Sequence, residues 1–400
     1  MKIFYRAASL LLFASLSYCI KAQDAPASDP RMYDIIDAVS AERIETDIRK
    51  LAGFGTRNTL SDTVSDTRGI GAARRWIKAE YDKISEACDG CLEVYYMRNV
   101  VEPGQSARIP EATEIVNVVA VQRGSKYPDR YVIMSGDIDS RASDVLNAEI
   151  DAPGANDNAS GMAGAMEAAR VLTKYKFPTS IIYTGLSGEE QGLFGGQHMA
   201  AVAKEEGWNI VGVLNNDMIG NIEGVDGVID NSTFRVFSEP TPVTETDRER
   251  MRRRFYGGEV DGISRQLARY VHMMTNKYFT NLSAIMIYRL DRFGRGGHHR
   301  PFNDQGFAGV RIMETHENYT RQHQDIREED GIKYGDVIEG VNFDYAKKLT
   351  GVNATVLAGL AWAPPQPGNV QIGGAVQPST RLRWDAVEDE NVAGYRIYWL

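Results

Sequence analysis

Short aliphatic runs alternate with helical stretches through most of this chain, and that alternation constrains the fold more than any other feature. Ile115–Val121, Tyr131–Met134, Ser180–Leu186, Ile210–Leu214 and Gly309–Met313 each have the length and content of a buried strand. Helical patterns occupy Tyr33–Leu51, Ile70–Ser85, Ala159–Tyr175, Leu193–Glu206, Arg248–Met274 and Tyr345–Trp362. Strands that alternate with helices in this way form a sheet covered on both faces. The predicted class is therefore α/β, a three-layer α/β/α sandwich around a central mixed, mostly parallel sheet. Ligands in such folds gather at the carboxyl ends of the strands.

The two ends of the chain read differently from its middle. The opening "MKIFYRAASLLLFASLSYCIKAQD" has basic residues at Lys2 and Arg6, a short apolar core and a small residue at Ala22. Residues 1–22 are thus expected to be a secretory signal peptide, which places the protein in the periplasm or outside the cell. No later segment is apolar enough to span a bilayer. Cys88 and Cys91, in "EACDGCLEV", suit a small disulfide clipping a helix–strand turn in an exported protein; a redox pair lacks the helix such a motif needs. At the other end, "APPQPG" (Ala363–Gly368) reads as a stiff linker. The apparent strands beyond it, with Trp384 in the second, resemble the opening of a fibronectin type III sandwich, so residues 364–400 are expected to be a linker and the start of that domain. The formal charge of −9 and pI near 5.4 argue against nucleic acid as a partner.

The chemistry collects where the strands end. Asp137 and Asp139, in "YVIMSGDIDSR", follow the second apolar run, two residues apart and so on one side of an extended chain. Asp157 precedes a helix in "GANDNASG". Glu189 and Glu190 follow "SIIYTGLSG", and Asp217 follows "IVGVLNN". Carboxylates brought together repel, and burial adds to the cost; a multivalent cation is the economical remedy. Carboxylates alone suit Mg²⁺, Ca²⁺ or Mn²⁺, and added imidazole shifts the choice to Zn²⁺. His298 and His299 lie in "GRGGHHRPFNDQGF", and His316 and His323 in "ETHENYTRQHQD".

Taken in order and spacing, "GANDNASG", "SGEEQGLFGG", "NNDMIG", "DRFGRGGHHRPF" and "ENYTRQHQD" resemble the co-catalytic zinc aminopeptidases. Glutaminyl cyclases and glutamate carboxypeptidases are relatives within that family. The resemblance makes residues 25–363 a zinc exopeptidase domain acting on peptides. It implies that Asp157 bridges two metals, that Glu190 and His323 complete one site, and that Asp217 and the residue at 137 complete the other. Glu189 becomes the general base, Asp139 a supporting group, and Tyr319 an oxyanion stabiliser. It also implies a cis peptide at Asp157–Asn158.

Two positions depart from the family's pattern. The strand that ordinarily ends His-x-Asp ends here in Asp137-Ile-Asp139, giving an all-carboxylate site that favours Mn²⁺ or no ion. An Asp-His pair becomes His298-His299, and His298 is expected to offset the change at 137 as a ligand or as a partner. The reading is an exported metallo-aminopeptidase. A carboxypeptidase is the rival, with Arg292, Arg295 and Arg300 available for a terminal carboxylate. A glutaminyl cyclase or an inactive binding relative are the others.

Overall fold

In the computed structural model, which describes residues 28–256, 258, 261–374 and 376–397, the aliphatic runs lie side by side at the centre of one eight-stranded sheet. The expected signal peptide lies outside those residues. The strands are β1 (Leu92–Val101), β2 (Thr113–Gln122), β3 (Tyr127–Asp137), β4 (Thr179–Leu186), β5 (Asn209–Asn216), β6 (Thr233–Ser238), β7 (Ser283–Ile287) and β8 (Gly309–Glu314). They lie in the order β1-β2-β4-β3-β5-β8-β6-β7. The central strands β4, β3, β5 and β8 are parallel. Antiparallel pairs bring in β1, β2 and β6, and β7 runs parallel to β6.

Alternation along the strands sends side chains to two cores. Val118, Ala120, Val132 and Met134 pack on one face, and Val119, Val121, Tyr131 and Ile133 on the other. The first face is covered by α1 (Pro30–Ala38), α2 (Ala41–Ala52), α3 (Gly69–Glu86), α4 (Ala159–Leu172), α8 (Ile263–Tyr278) and α10 (Phe343–Trp362). The second is covered by α6 (Phe194–Glu205) and α9 (His299–Asp304), through Met199, Ala200, Ala203 and Phe302. Two further helices, α5 (Glu189–Gly192) and α7 (Asp247–Tyr256), complete the α-helices among the described residues. This is the α/β sandwich expected. Each fully buried Leu, Ile or Phe contributes about 1.5–3 kcal/mol, so the two faces together dominate stability.

Three strands of this sheet fall outside the runs read from the sequence. β1, β6 and β7 lie at the sheet's margins, where exposed and buried residues mix and no continuous aliphatic run arises. Two long helical patterns are interrupted. Tyr33–Leu51 breaks at Val39-Ser40, because the Ser40 hydroxyl accepts the Arg43 amide (3.1 Å) and caps a second helix. Arg248–Met274 separates into α7 and α8 around a segment that carries Gly258 and Gly262.

Cys88 and Cys91 are disulfide-bonded, at the turn from α3 into β1. Past α10, Gln371–Gly373 pairs antiparallel with Arg381–Arg383. The third expected strand is not formed among the described residues 393–397. The tail instead rests on the sheet: Asp389 accepts a hydrogen bond from the Tyr127 hydroxyl (2.6 Å) and pairs with Lys126 (3.2 Å). Among the described residues no helix is long and apolar enough to cross a membrane.

Candidate active site

The carboxyl ends of the parallel strands converge on one cleft. Asp137 is the last residue of β3, and Gly188 turns the chain in a left-handed conformation (φ 73°) from β4 into α5, so that Glu189 and Glu190 open that helix. Asp217 follows β5, and His323 lies in the loop after β8. Asp157 stands before α4, whose cap Asn158 accepts the Gly161 amide (3.0 Å). The peptide between Asp157 and Asn158 is cis. The start of α4 presses on the end of β3: a Cβ at Gly136 would lie 2.5 Å from the Gly161 backbone, so only glycine permits this approach.

One half of the cleft has the chemistry of a metal site. His323 Nε2 lies 3.0 Å from Asp157 Oδ2 and 2.8 Å from Glu190 Oε1. The three ligand atoms lie within 4.8 Å of one another. Two carboxylates and an imidazole, with room for a further ligand in an open cleft, fit zinc. The Gln322 amide donates to Asp157 Oδ2 (3.0 Å). Asp336 accepts the backbone N–H groups of Asn156 (2.9 Å) and Asp157 (2.6 Å). Asp139 accepts those of Glu189 (3.2 Å) and Glu190 (3.0 Å), together with the Thr59 hydroxyl (3.0 Å). It anchors the start of α5 and leaves the ligand side chains free. Burial opposes the charge of His323, but Glu190 and Asp157 outweigh it and raise its pKa to about 9. Burial likewise acts to raise Asp157, and His323 more than reverses it, so Asp157 stays well below the usual carboxylate range. Glu189 is pushed well up by burial and then by the carboxylates of Glu190, Asp217, Asp137 and Asp157.

The other half is organised around protein donors. Asp137 Oδ1 lies 2.6 Å from His298 Nδ1, and Asp137 Oδ2 accepts from the Asn158 amide at 2.6 Å. Burial raises Asp137 and lowers His298, which favours a neutral hydrogen-bonded pair over an ion pair. Gly196 on α6 makes room for the imidazole, since a Cβ there would meet its ring at 2.5 Å. Asp217 Oδ2 lies 2.7 Å from Arg311 Nη2. The same guanidinium reaches Asp291 at 3.0 and 3.1 Å and the Gly296 carbonyl at 2.7 Å. Arg311 is fully buried.

Two expected participants lie elsewhere. Tyr319 is 54% exposed and is not part of the cleft wall, so it is not placed to meet an oxyanion. His299 turns away, with Nε2 2.8 Å from the Leu290 carbonyl and 3.7 Å from Asp291. Arg311, Asp291, Gln322 and Asp336 were not singled out from the sequence. A signal existed for Arg311, the one charge inside the aliphatic run Gly309–Met313, because a charge in a buried strand requires partners.

The cleft encloses about 400 Å³, and Arg108, Arg141, Arg292, Arg295, Arg300 and Arg311 line it together with the acidic groups. Among the described residues, no carboxylate lies within ion-pair distance of Arg108, Arg295 or Arg300.

Similarity to known proteins agrees with this geometry. A probable zinc metalloprotease of Leptosphaeria maculans is 42% identical over 375 residues, 94% of this chain and 86% of that protein. One from Pyrenophora tritici-repentis is 38% identical over 372 residues, covering 93% and 86%. Among solved structures, the LapA aminopeptidase of Legionella pneumophila superposes with a TM-score of 0.59 at 18% identity, over 91% of this chain and 81% of that one. A glutaminyl cyclase from Macrostomum lignano gives 0.59 at 13% identity, over 85% and 96%. The profile of peptidase family M28 matches residues 117–337. With the fold, the donor set and close relatives over nearly the whole length in agreement, the chain belongs to peptidase family M28, the co-catalytic zinc exopeptidases.

Proposed function

We propose that this chain is an exported zinc exopeptidase that removes terminal residues from peptides. The observation that carries the reading is the convergence of Asp157, Glu190 and His323, their ligand atoms within 4.8 Å, next to Glu189 in an open cleft. Asp157, Glu190 and His323 would hold zinc, which supplies Lewis acidity to a water molecule and to the scissile carbonyl. Glu189 takes a proton from the attacking water and returns it to the leaving nitrogen. Its burial among carboxylates raises its affinity for that proton. Asp139 sets its position through the backbone of α5. Gln322 and Asp336 hold Asp157 from the side and from behind.

The cleft supports recognition of a chain end that carries a carboxylate. Arg108, Arg295 and Arg300 are cations that such a group would satisfy. The aminopeptidase reading is the second, because Asp304 remains as a cleft acid for a free amine. Export is supported by the N-terminal pattern and by the Cys88–Cys91 bond, which persists in oxidising compartments.

The test is cleavage of peptides blocked at one end, with and without chelator. N-acetylated peptides are expected to lose C-terminal residues in a chelator-sensitive reaction, and C-amidated ones to resist. The opposite pattern selects the aminopeptidase. Cleavage only at internal bonds would refute the exopeptidase reading.

A further inference from the structure

We infer that this chain holds one metal ion, at Asp157, Glu190 and His323, and that the Arg311 guanidinium takes the place of the second ion of the family's co-catalytic pair. The inference rests on the zinc peptidase reading and adds to it the number of ions and the residue that substitutes for one.

The second site does not fit an ion. Its carboxylates would be Asp137 and Asp217, with Asp157 shared. Both oxygens of Asp137 already have hydrogen-bonding partners at 2.6 Å, the His298 imidazole on one side and the Asn158 amide on the other. Asp217 meets Arg311 at 2.7 Å. An incoming cation would have to lie against a guanidinium and the Asn158 amide donor, where like charges repel with little water to screen them. Arg311 cannot relieve this by losing its proton. Nor can it swing aside: Asp291 grips Nη1 through both carboxylate oxygens, and the Gly296 carbonyl accepts from the same nitrogen.

The arrangement is built to keep the charge there. Arg311 projects from the central strand β8 and lies between Asp217 and Asp291, buried on all sides. A lone buried arginine would be strongly unfavourable, and two flanking carboxylates make it a stable fixture. Asp217 thus keeps a positive partner without an ion. The His298–Asp137 contact engages the other ligand in a hydrogen bond, which an ion could displace once the guanidinium is gone, so the substitution of Asp for His at 137 and the arrival of His298 belong to one rearrangement.

The test is a metal count. Purified full-length protein, stripped with chelator, reloaded with zinc and desalted, is measured by plasma mass spectrometry, and zinc binding is titrated by calorimetry. One ion per chain is expected, with saturation at one equivalent. Arg311→Met is expected to raise the count from one to two by freeing Asp217. Arg311→Lys retains the charge and is expected to stay at one. Circular dichroism checks the fold of each variant. If Arg311→Met does not fold, the wild-type and Arg311→Lys counts decide. Two tightly bound ions in the wild type or in Arg311→Lys would overturn the inference, as would a folded Arg311→Met that still holds one. Two ions with active cleavage would overturn this inference alone. No bound zinc and no cleavage would overturn the zinc peptidase reading with it.

Discussion

Asp157 and Asp217 both lie at the cleft end of the sheet, yet they answer to different cations. Asp157 faces an imidazole, His323, at 3.0 Å; Asp217 faces a guanidinium, Arg311, at 2.7 Å. An imidazole gives up its proton to an incoming ion and becomes a ligand, whereas a guanidinium keeps its charge at any ordinary pH. The first half is therefore a site in waiting and the second a site already filled. Similar carboxylates, in one fold and a few ångströms of one cleft, acquire different functions through the partner each is given.

Removing His323 gives the largest expected effect. His323→Ala is expected to weaken zinc binding by more than the roughly 10–100-fold that loss of a supporting group alone costs, and to abolish turnover; zinc titration checks it. Glu189→Gln separates chemistry from binding: kcat is expected to fall by about 10²–10⁴ while the zinc content is unchanged. Arg311→Met tests the other half. Stripping the counter-charge from Asp217 and Asp291 is expected to cost about 3–5 kcal/mol of stability in a urea melt. Full stability in that variant would mean that the second half is not held by its ion pairs.

A gentler probe is pH. His323 rises from 6.5 to about 9 in the metal-free protein, so its proton stabilises that form fully below 6.5, and the contribution is lost as pH climbs through 9. Zinc must displace the same proton, so its affinity is expected to increase over this window. Calorimetry at several pH values reads both slopes, and Arg311 contributes to neither. The smallest expected effect is at Tyr319, where Phe is expected to change stability by no more than about 0.5 kcal/mol and leave turnover intact, since the ring is exposed and outside the cleft wall.

The sequence was most legible where periodicity and chemistry coincide. Runs such as Ser180–Leu186 have the length and content of strands covered on both faces, and β3, β4 and β5 are each followed by acids at the same sheet end. The marginal strands were not visible because partial exposure erases the pattern. β1, for example, mixes exposed and half-buried positions between its buried ends, Leu92 and Val101. Within the site, the acids could be found because they cluster in motifs, whereas their partners lie far away in the chain. Arg311 is 94 residues from Asp217 and His298 is 161 from Asp137, and no local pattern links them. Only the register of β8 beside β5 brings Arg311 to Asp217. Tyr319 shows the reverse: a plausible residue in the right motif, pointed to solvent by the loop that carries it.

The most direct test of the contrast between the two halves is anomalous diffraction from crystals of the zinc-loaded protein, collected on both sides of the zinc edge. A single peak is expected, bound by Asp157, Glu190 and His323, with Arg311 still against Asp217. A second peak of comparable height between Asp137 and Asp217, with Arg311 displaced, would contradict it.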